Sequence, residues 1–274
     1  MVGNVDLARD VNLVLPMLLP WAFTMALALS RVVGVLLALP NTMSPRVPRM
    51  VKAVMVISIA VALVVAQGPT IEVLGQPNAE LALLSMAVGD FVLGLTLGFF
   101  VHIGLATVRF AGELCGVEMG LSFAAVADPM SQDQTTPVAI IFGQIAIQIF
   151  FALGIDRDVL RALGESVNVQ PLGHAGMHLF RPEEIAMLGD SLFRVGFQIA
   201  MPIVGALFAL KLSIALLARV APKIQLFVLS FTLTLLLGHT LLVAAMPTIG
   251  AAVASHLSDV ADQVTRFALL TRDG

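Results

Sequence analysis

Six apolar runs dominate this sequence, at roughly residues 13–39, 51–66, 81–108, 138–154, 195–220 and 224–246. A helix needs about 20 apolar residues to cross the hydrocarbon core of a bilayer. The second and fourth runs are short by that measure, and the first, third and fifth are long. Such unevenness fits a tilted bundle, and it equally fits kinked or re-entrant helices. Composition points the same way. Of 274 residues, 58% are hydrophobic and 12% charged, more apolar surface than a soluble domain of this size needs. The expected fold is therefore an all-α integral membrane protein.

Prolines and charges mark the connections. "LPNTMSPRVPRM" carries Arg46 and Arg49, with Lys52 behind it, and "ARVAPK" carries Arg219 and Lys223. Both basic connections are expected on the cytoplasmic side. The acidic "AQGPTIEVLGQPNAE" and the long polar stretch 156–194 are expected on the other side. A cleaved signal peptide is not expected, because "MVGNVDLARD" carries two acids against one arginine and precedes too long an apolar run. A net charge of -3 supplies no basic field for nucleic acid. The single cysteine, Cys115, excludes an internal disulfide and a cysteine-based metal cluster.

Beyond Pro247 the chain changes character. Val253, Leu257, Val260, Val264 and Phe267 recur at helical spacing, with Asp259, Asp262 and Arg266 elsewhere on the wheel. This predicts an amphipathic helix too polar to span, lying on its own bundle or on lipid, or docking a partner. The chain thus divides into an N-terminal segment (1–12), membrane helices (13–246) and a C-terminal tail (247–274).

Glycine supplies a second pattern. Gly94 and Gly98 are spaced by four, as are Gly112, Gly116 and Gly120. On a helix each set makes a flat stripe that another backbone can approach closely, whether from the same chain or a neighbour. Arg31, Asp90, His102, Lys211 and His239 interrupt the apolar runs. A charge at a helix centre costs about 2.5–3.5 kcal/mol on insertion scales, so these groups should face protein or water. They could form a proton or ion pathway, snorkel, or pair at subunit contacts. Gln144 and Gln148, one turn apart, suggest hydrogen bonding between helices.

Catalytic templates find little. "HAGMH" at 174–178 has zinc-ligand spacing but lacks the glutamate of H-E-x-x-H. "AVGD" at 87–90 is one glycine short of an intramembrane aspartyl protease motif, and the chain has no tyrosine for its companion. No G-x-S-x-G elbow or P-loop occurs. Neither an enzyme, a cofactor nor a metal site is expected.

"GELCGVEMGLSFAAVADP" at 112–129, with "ARVAPKIQLFVLSFTLTLLLG" at 218–238, resembles the FliR family, whose virulence-system counterparts are called SctT. "SRVVGVLLALPNTMSPRVPRMVKAVM" has the family's first-hairpin character, while "SFTLT" lacks a proline that many relatives place there. The resemblance implies a core subunit of a type III export gate in the bacterial inner membrane, at the flagellar basal body. It implies bent hairpins like a FliP-like and a FliQ-like unit fused in one chain. Implied partners are FliP-like and FliQ-like subunits, FlhB-like and FlhA-like components, unfolded export substrates and lipid. It implies that Met119, Gly120, Leu121, Ser122, Phe123 and Ala124 plug the pore, with Asp128 and Pro129 turning the chain back. Glu113 of the motif joins the polar groups at subunit contacts. Without the resemblance, the stretch reads as a re-entrant loop or a cytoplasmic connection. A virulence system and a small-molecule or ion transporter are the alternative functions.

Overall fold

A computed structural model describes residues 3–39, 47–69, 79–122, 135–175, 182–220 and 226–270. The connecting segments lie outside these, and with them Arg46, His178, Lys223, Phe123, Ala124, Asp128 and Pro129. Seven helices make up the described chain: α1 (Gly3–Ala38), α2 (Arg49–Gln67), α3 (Ala79–Glu118), α4 (Pro137–Ala152), α5 (Ile155–Val169), α6 (Pro182–Val220) and α7 (Leu226–Leu270). Five of them, α1, α2, α3, α6 and α7, are long and apolar enough to cross a membrane; the broken pair α4 and α5 would make a sixth span. The all-α membrane fold follows from one requirement: hydrocarbon offers no partner to a free N–H or C=O, so each spanning segment must satisfy its own backbone.

Local signals set several helix ends. Thr136 stands in extended backbone before α4, where its hydroxyl accepts from Ala139 N at 3.3 Å, and Pro137 opens the helix. That is the preferred N-cap chemistry with proline at the first helical position. Leu153 and Gly154 separate α4 from α5, Gly154 at φ 73°.

Two elements depart from the sequence expectation. Within the polar stretch 156–194, residues 155–169 form a helix whose Ile155, Val159, Leu163 and Val167 are buried at a four-residue interval. The C-terminal tail is helical and amphipathic, but it is continuous with the last apolar run, because α7 passes unbroken through Pro247. Proline removes one hydrogen bond and clashes with the carbonyl four residues back, and packing further along outweighs that. Val253, Leu257, Val260, Val264 and Phe267 are all buried within the chain, so the apolar face of the tail lies against its own helices.

The chain forms two compact units. The first comprises Met1–His102, Arg157–Pro182 and Ala261–Gly274. In it α2 packs on α1, and α1 runs parallel to the first part of α3. Contacts between these two rise together along both helices: Ser30 Oγ donates to the Ala87 carbonyl, Arg31 meets Asp90, and His102 Nδ1 donates to the Ala38 carbonyl at 3.1 Å. Leu27, Val32 and Val35 of α1 and Leu93 and Leu97 of α3 are buried, and Phe100 meets Phe267 with ring centroids 5.3 Å apart. Lipid is as apolar as leucine, so such contacts hold by dispersion and close approach rather than by escape from water.

The second unit comprises Ile103–Asp156 and Glu183–Val260. The later part of α3 is its axis, with α4 and α7 antiparallel to it and α6 parallel. Phe110 sits edge-on to Phe193 and Phe197 of α6, at 5.4 and 5.7 Å. Val260 of α7 fills the groove at Gly104, where an added methyl group would meet it at 2.8 Å.

Candidate functional site

Both units place charged groups inside apolar helices, and they treat them differently. In the first unit Arg31 and Asp90 are fully buried, 0% exposed on both side chains, and bonded to each other. Arg31 Nε donates to Asp90 Oδ1 at 3.0 Å, and its second terminal nitrogen reaches the same oxygen. The other terminal nitrogen donates to the Gln170 carbonyl at 3.0 Å and to Ser166 Oγ at 3.3 Å. Asp90 Oδ2 accepts from Gly173 N at 2.9 Å. One residue earlier, Leu172 N donates to Gln67 Oε1 at 2.8 Å, at the last residue of α2. The pair therefore ties α1 and α3 to the end of α5 and to the turn behind it. Burying two charges costs several kcal/mol per ion unless their remaining lone pairs and N–H groups are also satisfied, and the turn supplies those bonds.

Glycine makes this approach possible. A Cβ at Gly94 would run into the Arg31 carbonyl oxygen, and one at Gly98 would meet the Ala38 Cβ at 2.8 Å. Gly34 answers from α1, where a Cβ would meet Leu95 N at 2.7 Å. The first glycine stripe thus seats α1 within the same chain.

In the second unit the end of α3 carries the corresponding features. At Gly112 a Cβ would meet Ala139 Cα at 2.7 Å and Phe142 Cβ at 2.9 Å; at Gly116 it would collide with Thr136. Glu113 Oε2 accepts from both the Thr136 N–H and its hydroxyl, each at 3.1 Å. The last turn of α3 is thereby clasped to the first turn of α4, at the two borders of residues 123–134. Lys211 of α6 donates to Glu118 Oε2 at 2.6 Å, with side chains 40% and 32% exposed.

Gly120 departs from the stripe it was expected to extend. It lies beyond the helix with φ 80°, Gly120 N donating to the Val117 carbonyl at 3.0 Å and Leu121 N to the Gly116 carbonyl at 3.0 Å. This is a Schellman ending, in which a glycine takes the left-handed conformation that closes the helix. Met119, just before it, is fully buried, and its side chain covers Gly238 of α7, where a methyl group would meet Met119 Cγ at 2.7 Å. Leu121 and Ser122 are half-buried.

The remaining polar groups of the sequence reading stand apart. His102 and His239 are exposed, each holding a carbonyl through Nδ1, His239 that of Leu235 at 2.8 Å. Gln144 and Gln148 are exposed on α4. Among the described residues no group of three or more His, Cys, Asp or Glu is placed to hold a metal ion. Sequence reasoning missed Thr136, although a threonine before proline and an apolar run is an N-cap signal. It also missed Ser166, Gln170 and Gln67, whose roles had no local signal.

Among the described residues, seven helices, five of them long and apolar enough to cross a membrane, define a polytopic helical membrane protein. The family described as "Bacterial export proteins, family 1" matches residues 22–260. The flagellar biosynthetic protein FliR of Escherichia coli (strain K12) is 30% identical over 221 residues, 81% of this chain and 83% of that protein. FliR of Aquifex aeolicus (strain VF5) is 25% identical over 66% of this chain and 70% of its own length. Yop proteins translocation protein T of Yersinia pestis is 28% identical over 65% of this chain and 67% of its own. The chain belongs to this family, the FliR/SctT subunits of the type III export apparatus, and its apolar helices make it a membrane-embedded component.

Proposed function

We propose that this chain is the FliR-like core subunit of a flagellar export gate in the bacterial inner membrane, at the flagellar basal body. In this reading it joins FliP-like and FliQ-like subunits, itself built like a fusion of the two, in a channel for unfolded flagellar proteins. FlhB-like and FlhA-like components act beside it. It contributes no catalysis; its part is to shape and close the path.

The observation that carries the reading is the end of α3. The glycine-packed helix stops at Gly120, its last turn is held by the Glu113–Thr136 clasp, and the family motif continues from there into "LSFAAVADP". A small, apolar segment on a rigid base can exclude water and ions by dewetting and still be displaced by a passing chain. Met119 serves as the anchor of that segment, since it is packed on Gly238. The obstruction falls to Leu121, Ser122, Phe123 and Ala124, with Asp128 and Pro129 returning the chain.

Deleting residues 120–124 is expected to leave an assembled complex that leaks ions and small solutes. Phe123→Ala should leak less and still export flagellar proteins. Conductance of the assembled complex tests both variants, and a deletion that stays as tight as wild type places the closure in partner subunits. The match to the Yersinia protein supports a virulence system as the second reading; the proteins secreted by complemented cells separate the two.

A further inference from the structure

The lysine of the second unit stands where its helix is otherwise apolar. On α6 Ile203, Leu207 and Ile214 are buried along one face, and Lys211 fills the step between the last two. On α3 Val108, Ala111 and Cys115 are buried at three- and four-residue steps; Glu118 takes the next step and ends the helix. Each helix thus interrupts a buried apolar face with a charge, and the two charges meet. Lys211 Nζ donates to Glu118 Oε2 at 2.6 Å, and the side chains keep 40% and 32% of their surface exposed.

Stability does not explain the choice. Well-packed apolar side chains in place of an ion pair are often neutral or stabilising, and a half-exposed pair is worth little because water readily takes over either partner. What the pair does offer is a contact that can open and close. The other ties at this helix end are of another kind. Gly112 lies against Ala139 and Phe142 of α4 and Gly116 against Thr136, Glu113 makes two bonds to Thr136, and fully buried Met119 covers Gly238 of α7. Opening any of those parts close-packed surface or strands the buried Thr136. Opening Lys211–Glu118 does neither. The pair also lies two residues before Gly120, whose left-handed backbone ends the helix and begins the stretch at Leu121.

We propose that Lys211 is a positioning residue of the closure. Its pair with Glu118 holds the end of α3 in the setting from which Leu121 and Ser122 close the path, and the pair opens when an exported chain passes. The proposal rests on the export-gate reading.

Conductance of the resting complex, export by cells lacking their own copy, and thermal unfolding are measured together. Lys211→Met and Glu118→Gln should each raise resting conductance about twofold to fivefold, the range over which a half-exposed pair can bias two states. Their unfolding midpoints should move less than that of Gly94→Ala, which should add no leak. Exchanging the charges, Lys211→Glu with Glu118→Lys, should return conductance to the wild-type level. The apolar double variant, Lys211→Leu with Glu118→Leu, should stay tight and unfold no earlier than wild type. It should export at least about fivefold less, because its contact no longer opens. Single variants as tight as wild type, a charge exchange that leaks as they do, or normal export by the apolar double variant would each overturn the proposal. The deletion of residues 120–124, measured alongside, separates the proposal from the reading beneath it. A leaky deletion beside tight single variants refutes the role of Lys211 alone; a tight deletion refutes the closure and this role with it.

Discussion

Two ion pairs among the described residues, one in each unit, do opposite jobs with the same chemistry. Arg31–Asp90 has no exposed side-chain surface and is bonded to Ser166 of α5 and to the Gln170 and Gly173 backbone of the turn behind it. Lys211–Glu118 keeps 40% and 32% of its side chains exposed and joins only α6 to the end of α3. A sealed pair must be complete, because an orphaned charge has nowhere to go. An open pair can be lost cheaply, since water or a neighbour replaces the missing partner. The first therefore fixes a unit, and the second adjusts the setting of one helix end.

Three variants would break or sharpen this contrast. Asp90→Leu should be the most damaging, at about 3–5 kcal/mol, because it leaves the Arg31 guanidinium buried without a counter-charge. The amount of folded chain in the membrane and its resistance to protease should both collapse. Adding Arg31→Met should recover most of the loss, which separates the cost of an orphan charge from the worth of the pair. A single variant as stable as wild type would remove the distinction between the two sites.

Gly94→Ala comes next, at about 1–3 kcal/mol for overpacking. The new methyl group lands on the Arg31 carbonyl and pushes α1 off α3 beneath the ion pair. Gly205→Ala is its control, with nothing within 4 Å of the added carbon, and should be neutral or gain up to about 1 kcal/mol from helix propensity. Thermal unfolding of the purified complex should rank the two in that order.

Lys211→Ala should cost least, about 1 kcal/mol or below, as half-exposed pairs do. The same thermal measurement checks it. A loss as large as that of Asp90→Leu would mean that the assembled complex seals this pair as well.

Much of the fold was legible in the chain, and the reason is local. Apolar run lengths marked the spans because a bilayer obliges each crossing segment to close its own hydrogen bonds. The family motif at 112–129 led to the end of α3, where Gly112 lies against α4 and Gly116 against its N-cap Thr136. Gly120 instead ends the helix, since a spacing of four cannot distinguish the last helical glycine from the one that stops the helix. The helix at 155–169 carried its signal in Ile155, Val159, Leu163 and Val167, masked by the surrounding charges. The junction at Pro247 carried none, because the contacts α7 makes on either side of it, at Gly238 and Val260, are with distant Met119 and Gly104.

The sequence by itself determined the solvent of this protein, its helical class and its family, all of which follow from composition, period and motif within one segment. Only the tertiary structure decided which charge meets which. Arg31 and Asp90 stand 59 positions apart, and Lys211 and Glu118 stand 93 apart. Arg31, Asp90 and Lys211 were each an anomaly in an apolar run, and Glu118 lay beyond the run that α3 extends. Pairing depends on which helices the glycine stripes allow to approach, and that depends on backbone contacts no single segment contains.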